Sequence, residues 1–257
     1  MKNVLILNDF VSKGKIAARL MASVLAYMDC EVFLLPTALI ANNFSLGGNA
    51  FYNTDEFIKN SLENWGKLGI KFDLIFIGYI EDGRQKDLIK SFIGKLDYKT
   101  TIVFDPIMGD DGKLYPGLDS DKIENYKDLV AIADIIIPNE TEEKFLDLDR
   151  ENIVKNNQKL IITSATKEGQ ASVILYDDVE KSIAYDKKDL KVGGTGDLFD
   201  GLLIGYYLKS YSLEESIDKT TKDIIKIICQ NEKDNPGAEE INIEKYLTLI
   251  GLEDASK

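Results

Sequence analysis

Short runs of Ile, Leu, Val and Phe alternate along the chain with longer stretches whose apolar residues recur every three or four positions. The first pattern predicts strands buried on both faces, and the second predicts helices. Strands are expected at Val4–Leu7, Glu31–Leu35, Asp73–Gly78, Thr101–Pro106, Asp134–Asn139 and Leu160–Thr163. Ser172–Tyr176 and Lys181–Tyr185 should pair as a hairpin around Asp177-Asp178. Helices are expected over Ile16–Tyr27, Asp55–Leu68, Gln85–Ile93 and Asp121–Ala133, and a final one over Ile243–Ile250. Two more announce themselves by capping boxes, Asn139 with Glu142 and Ser212 with Glu215, the second running toward Cys229. The apolar run Leu202–Leu208 suits a buried helix. Asn8–Lys15 and Ala41–Asn49 are too polar for a core and are expected as loops. Asn235-Pro236-Gly237 is expected as a break.

Strands alternating with helices predict an α/β fold with a mostly parallel central sheet between two helical layers. No repeat or linker interrupts residues 1–257, so a single domain is expected. Ligands of such sheets lie beyond the carboxyl ends of the strands. The unusual residues collect there: Asn8-Asp9, Pro36-Thr37, Gly78-Tyr79, Asp105-Pro106, Pro138-Asn139 and Thr163-Ser164.

The stretch Gly193-Gly194-Thr195-Gly196-Asp197-Leu198-Phe199-Asp200-Gly201 stands apart. Three glycines in four positions allow positive φ and close backbone approach. Consecutive amides opening a helix favour an anion such as phosphate. A carboxylate in such a turn repels phosphate unless it has its own task, and the obvious task is taking a proton from an attacking hydroxyl. Taken alone, the stretch is equally well a structural turn.

Composition narrows the chemistry. A net charge of −13 argues against broad contact with nucleic acid or an anionic membrane. There is no histidine, which removes Ser-His-Asp triads, histidine bases and most transition-metal sites. Cys30 and Cys229 form no cluster, as suits a reducing cytoplasm. The apolar run Val4–Leu7 is too short for a signal peptide, and no run reaches transmembrane length.

Three further constellations could carry chemistry. Asp105 and Asp110, in a rigid loop reaching Tyr115, could hold hydrated Mg²⁺ or a monovalent cation near a polyphosphate. Glu142 is placed to touch metal-bound water, although its capping box is the commoner use of that spacing. Asn8, Asp9, Thr37, Asn42 and Asn43 could hydrogen-bond a small polar ring, or simply serve loops and caps. Gly78–Gly83 followed by Arg84-Gln85 lacks the Lys-Ser/Thr pair of a phosphate-binding Walker loop.

Asp-Pro-Ile-Met-Gly-Asp-Asp-Gly-Lys-Leu-Tyr at 105–115, Ile-Pro-Asn-Glu-Thr-Glu at 137–142, Ile-Thr-Ser at 162–164 and Gly-Gly-Thr-Gly-Asp-Leu-Phe at 193–199 occur in this order. Together they resemble the pyridoxal/pyridoxamine kinase family of the ribokinase-like superfamily. The likeness extends to Ile6–Asp9, Leu35–Ala38 and Gly78-Tyr79, and so spans most of the chain. It implies a ribokinase-like α/β/α fold, a cytoplasmic homodimer, ATP and Mg²⁺ as cofactors with room for K⁺, and vitamin B6 salvage as the task. By the resemblance Asp197 would deprotonate the hydroxymethyl group of a B6 vitamer. The amides of Gly194, Thr195 and Gly196 would cradle the migrating phosphoryl group. Asp105, Asp110, Asn139 and Glu142 would face the triphosphate, with Asp105 and Glu142 toward the metal. Thr163 and Ser164 would meet the nucleotide, and Asn8, Asp9, Thr37 and Tyr79 the vitamer. Departures fall on the vitamer side, at Val11–Gly14, Ala41–Asn43 and Glu81-Asp82. Another acceptor, such as hydroxymethylpyrimidine, is therefore the alternative, followed by a catalytically idle binding protein. Asp200 adds an acid for which the resemblance offers no role.

Overall fold

The computed structural model describes residues 1–42, 50–190 and 192–252. Along the chain run β1 (Lys2–Lys13), α1 (Ala17–Tyr27), β2 (Cys30–Asn42), β3 (Phe51–Asn53) and α2 (Asp55–Lys67). Next come β4 (Leu74–Ile77), α3 (Gly83–Ile93), β5 (Thr101–Phe104), β6 (Gly109–Asp110), β7 (Lys113–Leu114) and α4 (Ser120–Val130). They are followed by β8 (Ile135–Ile136), α5 (Glu140–Leu146), α6 (Arg150–Lys155), β9 (Lys159–Lys167), β10 (Gln170–Tyr176) and β11 (Glu180–Ala184). The chain closes with α7 (Thr195–Leu208) and α8 (Leu213–Asp234).

Nine strands form one sheet in the order β11-β10-β9-β8-β5-β4-β1-β2-β3. The six strands from β9 to β2 are parallel, and β3, β10 and β11 are antiparallel additions at the edges. Strict alternation along β1 sorts its side chains. Leu5 and Leu7 pack toward α2–α6 with Ile58, Ile89 and Tyr126, while Val4 and Ile6 pack toward α1, α7 and α8 with Met21, Leu203 and Ile217. Both faces of the sheet are thus covered, as the continuous apolar runs require.

Four expectations need correction. Asn8–Lys13 is not a loop, and β2 does not close at Pro36-Thr37. Past Leu7 the two strands continue pairing through Lys13 and Asn42, with a register shift between Asn8 and Phe10. Beyond the layers this ladder buries one face only, through Val11, Ala38 and Ile40 packed with Ile16 and Tyr79. Its polar content therefore reads as loop. Of the expected loop Ala41–Asn49, Ala41 and Asn42 belong to β2, and residues 43–49, with Asn43, lie outside the described residues. The final helix is instead two 3₁₀ turns, Ile243–Lys245 and Leu247–Leu249. Asn242 gives it no side-chain cap, because its Oδ1 accepts from Lys15 Nζ.

In the parallel part the chain order reverses between β1 and β4, which makes their carboxyl ends the natural ligand crevice.

Candidate active site

The glycine turn opens α7. Gly193 is pinned by its N–H to the carbonyl of Glu239, at 2.8 Å. Gly194, the residue before the helix, has φ 87°. A Cβ there would stand 3.0 Å from Leu20 Cδ1, so both backbone and space demand glycine. A Cβ on Gly196 would meet nothing within 4 Å. No side chain caps α7, so its first amides are left to the cavity they face. Asp197 stands in that turn and accepts the N–H of Ala17, the first residue of α1. Ala17 itself has φ 54°, an uncommon conformation for a residue with a Cβ. Burial pushes the Asp197 carboxyl up to about 6, with the Ala17 N–H pulling the other way.

This turn borders a cavity of about 460 Å³. Every residue predicted for the phosphate, metal and nucleotide side lines it: Asp105, Asp110, Asn139, Glu142, Thr163, Ser164, Gly194, Thr195, Gly196 and Asp197. Thr163 is half-buried, and Ser164 is exposed with φ 55°.

Asp105 follows β5, and the loop after it folds into the small β6–β7 hairpin. The first turn of α5 holds that hairpin. Asn139 Nδ2 donates to the Gly109 carbonyl at 2.8 Å, and Gly112 N–H donates to Thr141 Oγ1 at 2.8 Å. Glu142 Oε1 accepts from Met108 N–H at 3.0 Å and more weakly from Gly109 N–H at 3.4 Å, while Oε2 accepts from Asn139 N–H at 2.9 Å. The capping box is therefore real, and Glu142 uses both oxygens to shape the loop that carries Asp105 and Asp110.

Asp105, Glu142, Asp197 and Asp200 all line this cavity. Asp105 and Asp200 share a carboxyl–carboxyl hydrogen bond. Burial raises both well above the ordinary carboxylate range, helped at Asp105 by Asp200 and at Asp200 by the charges of Asp197 and Glu142, while the bond from Asp105 pulls Asp200 the other way. Burial, then Asp105, does the same to Glu142. Among the described residues no three or more acidic, histidine or cysteine groups gather as a ready-made metal cage. The donors nevertheless suit Mg²⁺, which prefers hard oxygens and is typically held by one or two carboxylates, water and phosphate. Asp200 Oδ2, buried without a hydrogen-bond partner among the described residues, fits that use.

The four residues predicted for the acceptor gather where β1 and β2 run on past the end of β4. Asn8 is fully buried, and its Oδ1 accepts from the N–H groups of Asp9 and Tyr79 at 3.0 and 2.9 Å. Gly78 leaves room for it, since a Cβ there would lie 2.6 Å from that oxygen. Thr37 Oγ1 donates to the Tyr79 carbonyl at 2.6 Å, and Gln85 Nε2 donates to the Thr37 carbonyl at 2.8 Å. Asn8 and Thr37 thus fix the path of the backbone around Tyr79. Asp9 is half-buried; desolvation, then the charge of Asp197, push its carboxyl up to about 7. These four do not line the 460 Å³ cavity, but Asp9 lies within electrostatic reach of Asp197.

Sequence reasoning missed the clamp on Tyr79. Its hydroxyl donates to Glu81 at 2.5 Å and accepts from Lys122 Nζ at 2.9 Å. The same ammonium lies 4.1 Å above the Tyr79 ring, and burial lowers its pKa. Nothing in the sequence sets Lys122 apart from the solvated lysines of the other helices.

A mostly parallel sheet between helical layers, with a carboxylate and uncapped amides in one glycine turn at a strand-end cavity, defines a phosphotransferase of the ribokinase-like fold. The profile of the family described as phosphomethylpyrimidine kinase matches residues 23–242. The chain belongs to that family, and it is a kinase with an alcohol group as acceptor. A provisionally named pyridoxal kinase of Schizosaccharomyces pombe is 26% identical over 257 residues, covering 85% of this chain and 69% of that protein. A pyridoxal kinase of Arabidopsis thaliana is 28% identical over 58% of this chain and 54% of its own length. A provisionally assigned phosphomethylpyrimidine kinase from Bacteroides thetaiotaomicron, crystallised with pyridoxal, is 26% identical with a TM-score of 0.82, covering 97% of this chain and 95% of that one. Pyridoxal kinase from Leishmania donovani in complex with ADP and pyridoxine is 18% identical with a TM-score of 0.82, covering 96% and 95% of the two chains.

Proposed function

We propose that this chain uses ATP to phosphorylate the hydroxymethyl group of a vitamin B6 vitamer, pyridoxal, pyridoxamine or pyridoxine, giving the 5′-phosphate and ADP. The observation that carries this reading is the pairing of Asp197 with the uncapped amides of its own turn on the wall of the cavity. The B6 ligands and ADP of the structural relatives support the choice of substrates.

Asp197 accepts the proton of the acceptor hydroxyl as that oxygen attacks the γ-phosphorus. The bond from the γ-phosphorus to the β–γ bridging oxygen breaks, and ADP departs. The amides of Gly194, Thr195 and Gly196 point at the equatorial oxygens, where transition-state charge is greatest. Asp105 directly and Glu142 through water are the groups that would hold Mg²⁺, which supplies charge neutralisation to the phosphates when bound. Asp110, Asn139, Thr163 and Ser164 face the nucleotide, and Asn8, Asp9, Thr37 and Tyr79 shape the acceptor side. The working unit is a single-domain chain acting as a cytoplasmic homodimer.

Asp197→Asn should lower turnover by about 10²–10⁴, typical of a lost general base, while nucleotide binding measured by calorimetry persists. An unchanged rate removes the assignment.

The Glu81–Tyr79–Lys122 clamp favours a second reading, since it stiffens the acceptor side and narrows what fits. Hydroxymethylpyrimidine is the acceptor to test beside the three vitamers in a coupled ADP-release assay. Turnover of hydroxymethylpyrimidine alone would replace the first reading with the second.

A further inference from the structure

Tyr79 is held at every polar atom it has. Its N–H donates to Asn8 Oδ1 at 2.9 Å, and its carbonyl accepts from Thr37 Oγ1 at 2.6 Å. Its hydroxyl donates to Glu81 Oε2 at 2.5 Å and accepts from Lys122 Nζ at 2.9 Å. The two groups at the hydroxyl are themselves anchored. Glu81 N–H donates to Oε1 of Gln85, a fully buried side chain whose Nε2 also donates to the Thr37 carbonyl and to Asp55. Lys122 N–H donates to Asp119, the cap of α4. Lys122 is 8% exposed, and burying an ammonium is costly unless it is closely paired. Yet its Nζ stands 4.0 Å from the Glu81 carboxylate and 2.9 Å from the neutral phenol oxygen, with the centre of the Tyr79 ring 4.1 Å away. The buried charge is thus directed at Tyr79 rather than at its counter-ion.

We propose that Glu81 and Lys122 are positioning residues that set acceptor specificity: they occupy the Tyr79 hydroxyl as donor and as acceptor, and so leave only its fixed ring to meet a planar heteroaromatic alcohol. A phenol whose one proton is committed to Glu81 cannot donate it to a substrate. The acceptor is then selected by shape against a ring that cannot turn, and not by a bond to that hydroxyl. Neither residue touches the reacting atoms; both act through Tyr79. Glu81 stands where the sequence departs from the family it resembles, so this selection is a property of this chain. The inference rests on the reading that Tyr79 borders the acceptor.

The test is steady-state kinetics of the full chain with pyridoxal, pyridoxamine, pyridoxine and hydroxymethylpyrimidine, with the fold of each variant checked by circular dichroism. Lys122→Met and Glu81→Gln should each raise KM for the acceptor about tenfold, the usual worth of a hydrogen bond to a charged group. They should also narrow the spread of kcat/KM across the four compounds and leave KM for the nucleotide unmoved. Lys122→Arg, which keeps the charge, the donors and the capacity to stack on a ring, should retain the wild-type ranking. Tyr79→Phe should match Lys122→Met, and the two combined should be no worse than either, because each removes the same device. Half-buried Glu81 keeps the test available should Lys122→Met not fold. An unchanged acceptor KM and ranking in the folded Glu81 and Lys122 variants overturns the proposal. So does a loss in Tyr79→Phe that Lys122→Met does not share, since the hydroxyl would then bond the acceptor itself. Turnover of hydroxymethylpyrimidine but no vitamer would remove the B6 reading, while the KM of the variants for that one acceptor would still decide this inference.

Discussion

Asp197 and Asp9 show how one environment sets two opposite pH responses. Their carboxyl groups are raised to about 6 and about 7, each chiefly by desolvation. Unfolded, both titrate near pH ~4. Between these limits the folded chain binds more protons than the unfolded one. The stability these groups contribute is therefore complete below about pH 4 and is lost as pH rises through about 6 and 7. Activity runs the other way, since Asp197 must be ionised to take a proton. Asp9→Asn is accordingly expected to raise the urea midpoint at pH 8 and to change it little at pH 4. Equal shifts at both pH values would contradict the assigned cause. Gly194→Ala puts a Cβ 3.0 Å from Leu20 at φ 87°. It should cost at least about 1–2 kcal/mol, the usual left-handed penalty, and melting curves would report it. At this scale the phosphate side was legible, because glycine, proline and acid in one short segment have few other uses. Lys122 was not: its importance comes from a contact between α4 and the segment after β4 that no local pattern encodes.

The elements that position the site are joined at α5. Its capping box was read correctly, yet the same Glu142 and Thr141 also hold the β6–β7 hairpin, a tertiary use that spacing alone does not reveal. Thr141→Val removes the acceptor for Gly112 N–H and should loosen the hairpin carrying Asp110. A several-fold rise in KM for nucleotide with a smaller change in kcat is expected from steady-state assays. No change in KM would mean the hairpin is held without this bond. The apolar runs placed the buried strands well, because full burial leaves only apolar residues to choose from. They failed on the β1–β2 extension, where one face is polar, and at residues 243–250, where uncapped ends favour 3₁₀ turns over a helix.

For the molecule as a whole, the net charge of −13 opposes the approach of an anionic nucleotide, and the local amides must overcome it. Added salt should therefore lower KM for the nucleotide. The Debye length falls from about 30 Å at 0.01 M to about 8 Å at 0.15 M. A titration with tetramethylammonium chloride checks this, and a rising KM would point to a more local charge. The covering of the sheet has a consequence for synthesis. α1 leaves the ribosome well before α7 and α8, which roof the same face. Until residues 195–234 emerge, the nascent chain carries the oily side of Phe76, Val103 and Ile161 half clad, an invitation to holdase chaperones. The proton acceptor, resting on the N–H of Ala17, can only be assembled once α7 has docked beside α1.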